Sequence, residues 1–186
     1  VGIRTSTEAK LLDAAEELFF TRGISATPID AVLERAGVSA ATLYRGYPSK
    51  EALLAAALER RHRAWIAAWD RAVDRQDSPE GRLLAVFDAL DEFRQEPVGS
   101  RWCAFLGSAA EYADAPAEVA DALRLDTDTL RARLTALAVP VAGEDAATLA
   151  DQLLLVVTGD LAMRLRETGH GTSTARAVAA ALLAAR

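Results

Sequence analysis

The sequence predicts an all-α protein of about nine helices, and three observations carry that expectation. Of the 186 residues, 51% are hydrophobic, with alanine and leucine dominant, and both enter helices at little entropic cost. The six prolines and eleven glycines lie mostly between apolar stretches, where they punctuate them. No alternating Val/Ile/Thr run is long enough for a strand. A chain of this length can bury a sizeable core, as one domain or as a small domain followed by a larger one.

The first helix is expected from Ser6 to Thr21. Thr5 and Glu8 have capping-box spacing, Leu11, Leu12, Ala15, Leu18 and Phe19 form one apolar stripe, and Gly23 ends it. A second helix opens at Thr27 with Pro28 in its first position, buries Ile29, Val32, Leu33 and Ala36, and closes at Gly37. Ser39 is a good N-cap for a short third helix, Ala40 to Gly46. After Pro48, Ser49 caps a long fourth helix to about Arg75. Turn-like breaks then delimit helices near Pro79–Gln95, Ser100–Tyr112, Ala117–Ala138, Asp145–Glu167 and Thr172–Arg186.

Composition narrows the function classes. The single cysteine, Cys103, forms no intrachain disulfide, and the two histidines join no cluster with metal-ligand spacing. Neither a catalytic triad nor a Gly-rich phosphate loop is present, so an enzyme is not expected and no cofactor is implied. No run of about 18 apolar residues predicts a membrane span, and the early acidic residues do not fit a signal peptide; the expected location is the cytoplasm. The chain begins at Val1 rather than methionine, which predicts a short upstream segment. Net charge is −6, but unevenly spread: residues 1–63 carry +1 and residues 64–186 carry −7. The N-terminal third is therefore the part that can approach a polyanion.

Two helices joined by a short glycine-containing turn form a helix-turn-helix, whose second helix lies in the DNA major groove. The stretch "GVSAATLYRGYPSK" suits that place. Ala40 and Ala41 permit close approach, and Leu43 turns inward as the anchor. Thr42 offers a hydroxyl to phosphate or a methyl to thymine, while Tyr44 and Tyr47 offer phenols to phosphate. Lys50 sits in the first turn of the next helix, where an ammonium and free N–H groups can hold a phosphate, and Thr27 has the same opportunity at the start of the second helix. The plain alternative makes Tyr44 and Tyr47 core aromatics of a small bundle.

From Lys10 to about Leu58 the segments "AAEELF", "RG" followed by "T", "ERAGVS", "TLY" and "PSKEALL" closely resemble the N-terminal domain of TetR-family transcriptional regulators. The resemblance implies a DNA-binding domain at 1–48 with Ser39 at its recognition helix, a ligand-binding and dimerisation domain at 49–186, and double-stranded DNA as partner. It implies backbone contacts from Thr27, Thr42, Tyr44, Tyr47 and Lys50, and base-facing positions at Ala40, Ala41 and Arg45. Two residues depart from the family pattern. Gly46 stands where a histidine is usual, which predicts a lost phosphate contact, and Ala40 stands where many members carry Lys or Arg. Specificity would then rest on thymine methyls, Arg45 or DNA shape.

Beyond Leu58 the resemblance weakens. It implies a homodimer formed through the last two helices and a small-molecule cavity. Independently, Leu149, Leu153, Val156, Val157 and Leu161, widened by Leu154 and Leu155, make the eighth helix apolar on most sides. Gly159 within it suits close helix approach, and Val178, Ala179, Leu182 and Leu183 supply the ninth helix. Candidate cavity residues are Trp65, Trp69, Phe87, Phe93, Trp102, Cys103, Phe105, Leu106, Tyr112 and Met163, with Glu111 and Asp114 for a cationic ligand or for solvent. Cys103 also reads as a small buried hydrophobe, and His62 as part of a solvated face. The expected function is a ligand-released repressor binding a pseudo-palindromic operator. The rival is a helical small-molecule binding protein with lost or weak DNA binding.

Overall fold

The structure, a computed structural model, describes residues 3–95, 103–167 and 169–185. Among them are nine α-helices and one 3-10 turn: α1 (Thr5–Arg22), α2 (Ile29–Ala36), α3 (Ala40–Gly46), α4 (Lys50–Asp74), α5 (Pro79–Gln95), α6 (Ala104–Glu111), α7 (Ala117–Ala142), the turn Gly143–Asp145, α8 (Ala146–Arg166) and α9 (Ser173–Ala184). No strand occurs among the described residues.

Two compact units form, and neither is continuous in sequence. One holds residues 1–61 and 103–124, the other residues 62–102 and 125–186. The expected boundary at 48/49 is therefore moved. The first half of α4, together with α6 and the start of α7, completes the N-terminal core: Leu53, Leu54, Leu58, Ala104, Val119 and Ala122 join Leu11, Leu18, Phe19, Val32 and Leu43 in one cluster. Three short helices alone bury too little apolar surface to be stable. In the second unit Trp65, Trp69, Phe87, Leu134, Leu149, Leu153 and Ala179 lie in the core.

Helix ends follow local chemistry. Gly37 takes the left-handed conformation, with φ 65°, and the Val38 and Gly37 amides donate to the Leu33 and Glu34 carbonyls, closing α2. The Ser39 hydroxyl accepts the Thr42 amide and caps α3. The Thr5 capping box does not form: Arg4 is the N-cap of α1, without a side-chain cap, and Thr5 is already helical. Pro28 likewise precedes α2 as its N-cap. The break expected near "VPVAGED" comes late, because α7 continues through Pro140 to Ala142.

Eighteen consecutive residues within Ala117–Arg166 reach a mean hydropathy of 1.3, and 39% of them are buried; as expected from the sequence, charged residues interrupt them. The turn at Gly143–Asp145 separates α7 from α8, and Leu130, Leu134 and Ala138 of the first and Leu149 and Leu153 of the second are buried in the core.

Candidate nucleic-acid interface

The third helix presents a surface of two alanines, a tyrosine and one cation, Arg45. Leu43 is fully buried and holds α3 against the core, while Ala40, Ala41, Tyr44 and Arg45 are exposed, Tyr44 by 50%. No acidic residue lies on α3. Thr42 is half-buried, with its hydroxyl 2.9 Å from that of Ser39, so both sit at the helix start where a phosphate oxygen can take a hydroxyl proton.

Two expected phosphate contacts, Thr27 and Tyr47, are corrected by the geometry, and Lys50 has a second role. Thr27 is 1% exposed, and its hydroxyl donates to the Gly23 carbonyl at 2.7 Å, tying the end of α1 to the start of α2. Tyr47 is 8% exposed, and its phenol donates to Glu8 Oε1 at 3.0 Å. Burial, reinforced by that bond and the Glu8 charge, pushes the phenol up to about 12. The Lys50 ammonium donates to the Ile24 carbonyl at 2.5 Å and lies over the Phe19 ring. The Thr27 and Tyr47 hydroxyl protons are thus committed inside the first unit, whereas half-buried Lys50 commits one of its three N–H groups there.

The sequence reading missed the group that meets Lys50. Glu111, the last residue of α6, accepts the Ile24 and Ser25 amides at 2.9 and 2.8 Å. Burial works to raise its pKa, but the two amide bonds, with help from Lys50, pull the carboxyl below its ordinary value. The turn between α1 and α2 is thus held by a carboxylate and an ammonium from two other helices. Glu111 is occupied there and does not await a cationic ligand. No sequence motif signals this, because the partners are 86 and 87 residues apart.

Gly46 has a local cause. A Cβ there would lie 2.7 Å from Ile3 Cδ1, so the side chain of Ile3 takes the room a longer residue would need.

The candidate cavity residues divide between the units. Cys103, Phe105, Leu106 and Tyr112 belong to the first, where Phe105 and Tyr112 pack on the N-terminal core. Cys103 is half-buried and not the enclosed hydrophobe expected. Trp65, Trp69, Phe87, Phe93 and Met163 belong to the second unit, and Trp102 lies outside the described residues. Trp65 stacks on Trp69 at 5.7 Å and meets Phe93 edge-on. Trp69 is fully buried, with the Arg133 guanidinium over its ring, and its Nε1–H has no acceptor among the described residues. A cleft of about 390 Å³ lies elsewhere, between α1 and α2, lined by Glu17, Leu18, Arg22, Ala31, Glu34 and Arg35. His62 is buried, with Nδ1 2.9 Å from Asp126, rather than on a solvated face.

On α8 the expectation of burial on most sides fails: Leu155 is 74% exposed, Leu165 is open, and Leu154, Val156 and Leu161 are half-buried, while on α9 Val178 is open. A Cβ at Gly159 would meet nothing within 4 Å.

Fold and surface together define a helix-turn-helix protein with a larger helical unit. Residues 11–57 match the family model of "Bacterial regulatory proteins, tetR family". The chain is 26% identical to a TetR-family transcriptional regulator from Streptomyces coelicolor, with TM-score 0.87 over 98% of this chain and 96% of that one. A second such regulator, from Streptomyces avermitilis, is 28% identical, with TM-score 0.82 over 96% and 97%. Among curated proteins, the transcriptional activator FasR of Mycolicibacterium smegmatis is 33% identical over 48% of this chain and 41% of its own length. The regulator BetI of Burkholderia ambifaria is 31% identical over 56% of each. The matched segment thus spans about half the length of these curated relatives. Residues 11–57 therefore match the DNA-binding domain of the TetR family, and over nearly its whole length the chain is similar to TetR-family transcriptional regulators.

Proposed function

We propose that the protein is a ligand-responsive regulator that binds a pseudo-palindromic DNA operator as a homodimer, represses from it, and is released by a small molecule. The observation that carries DNA binding is the α3 surface: two alanines, Tyr44 and Arg45 facing outward beside half-buried Thr42, with no carboxylate among them. A helix with this profile enters a major groove without repulsion from phosphate. Two copies related by a two-fold axis would read two half-sites, and the open apolar side chains Leu155, Leu165 and Val178 on α8 and α9 supply a self-complementary surface.

The effector reading rests on the second unit. The buried Trp69 Nε1–H without an acceptor, beside stacked Trp65, suits an apolar ligand bearing one hydrogen-bond acceptor. Binding would release DNA only by favouring one of two conformations. Such a regulator acts in the cytoplasm, where the DNA is.

The test is DNA selection: the purified protein is offered a random duplex pool, and recovered sequences are bound by wild type, Tyr44→Ala and Arg45→Ala. A palindromic consensus, with both variants weakened and their melting temperatures unchanged, is the expected result. The inward Thr27 and Tyr47 side chains favour the second reading, a small-molecule binding protein with weak DNA affinity. A flat selection with retained effector binding would establish that one instead. Transcription from a template carrying the selected operator separates repression from activation.

A further inference from the structure

We infer that Ile3 and Arg4 are part of the DNA interface, with Arg4 supplying a phosphate-directed cation at the C-terminal end of α3; the inference rests on the DNA-binding reading above. Gly46 is the last residue of α3, and a Cβ there would lie 2.7 Å from Ile3 Cδ1 and 3.0 Å from Ile3 Cγ1. The glycine is a seat for the isoleucine. Ile3 also packs on the apolar cluster of the first unit, so the arm is held by burial and not only by its connection to α1.

Arg4 follows at once. Its backbone is fixed, because its carbonyl accepts the Thr7 and Glu8 amides at 2.9 Å each. Its side chain is exposed and makes no ion pair among the described residues. Consecutive Cα atoms are about 3.8 Å apart, so a residue next to Ile3 lies within one long side chain of the end of α3. The acidic neighbour on α1, Glu8, is occupied by the Tyr47 hydroxyl. A guanidinium within reach of the helix end that carries Arg45 suits a phosphate of the strand flanking the groove.

The test uses the full chain and a labelled duplex chosen by the protein from a random pool, with affinity measured between roughly 50 and 200 mM salt. Arg4→Ala should bind roughly tenfold more weakly, with the slope of log K against log salt shallower by about one. Arg4→Lys should keep the slope. Ile3→Ala removes no charge but unseats the arm, so it should weaken binding in the same direction, and adding Arg4→Ala to it should cost less than in the parent. Parent affinity and slope in Arg4→Ala, with Tyr44→Ala still impaired, would overturn this inference and leave the regulator reading intact. Weaker binding with an unchanged slope would also overturn it, since a merely structural role leaves the count of neutralised phosphates alone. A parent that selects no duplex would overturn both.

Discussion

Tyr47 closes the recognition helix with its ring in the core and its hydroxyl on Glu8. Its raised pKa, about 12 against an ordinary 10, comes first from burial and then from that bond. The folded state therefore holds the phenolic proton more tightly than the unfolded one. The corresponding stability is fully present below pH 10 and is lost as pH rises through about 12. Tyr47→Phe should lower unfolding free energy at neutral pH by about 1 kcal/mol, through the lost bond, and should lack the parent's extra decline above pH 10. Urea titrations of both proteins across that range check this; parallel pH profiles would refute it. DNA affinity should change little. Thr27 makes the same point: replacing it by valine removes the bond to Gly23 and should cost about 1–2 kcal/mol without altering the salt dependence of DNA binding. Both hydroxyls read as phosphate-directed in the sequence because a chain displays its donors but not their acceptors. Glu8 lies 39 residues from Tyr47, a distance only the fold closes. Leu43 and Ser39 were legible because an anchor and an N-cap depend on local spacing.

Glu111 links one helix end to the turn between two others, so its consequence belongs to the elements. Two amides converge on one carboxylate, which depresses its pKa despite partial burial. A depressed acid stabilises the fold above its unfolded value, 4.5, and that contribution disappears as pH falls through the lower folded value. Glu111→Gln should therefore flatten the acid limb of stability below pH 4.5. Hydrogen exchange at the Ile24 and Ser25 amides should speed by roughly tenfold or more, as bonds to a charged acceptor are lost. Unchanged exchange at both amides would show that the turn holds itself. Helix positions were mostly legible, and the ends best where glycine makes them: Gly23 and Gly37 adopt positive φ and stop α1 and α2. The end of α7 was read too early because proline normally breaks a helix. Here Pro140 lies one turn from the end, and both it and Ala136 are exposed, so the carbonyl that proline leaves unpaired can take water.

Across the whole molecule, the question is what covers Leu155. A leucine 74% exposed in the middle of an apolar helix is unfavourable in a lone protomer, and one turn further along the same face a Cβ at Gly159 would meet nothing within 4 Å. In a two-fold dimer each copy buries its own Leu155, so the gain counts twice. At about 1.5–3 kcal/mol per buried leucine, the pair contributes roughly 3–6 kcal/mol to association. Leu155→Arg removes that gain and sets two like charges face to face. The dimer dissociation constant should rise by roughly a hundredfold or more, read by sedimentation velocity across protein concentration. Because the side chain is exposed in the protomer, far-ultraviolet circular dichroism should be unchanged. The melting temperature of the parent should climb with concentration, while that of the variant should not. Binding to a full operator should fall to the level of one isolated half-site, since two recognition helices would no longer arrive together. A variant that stays dimeric and grips the full operator as the parent does would mean that the copies join through another face, leaving the apolar surface of α8 and α9 without a role in DNA recognition.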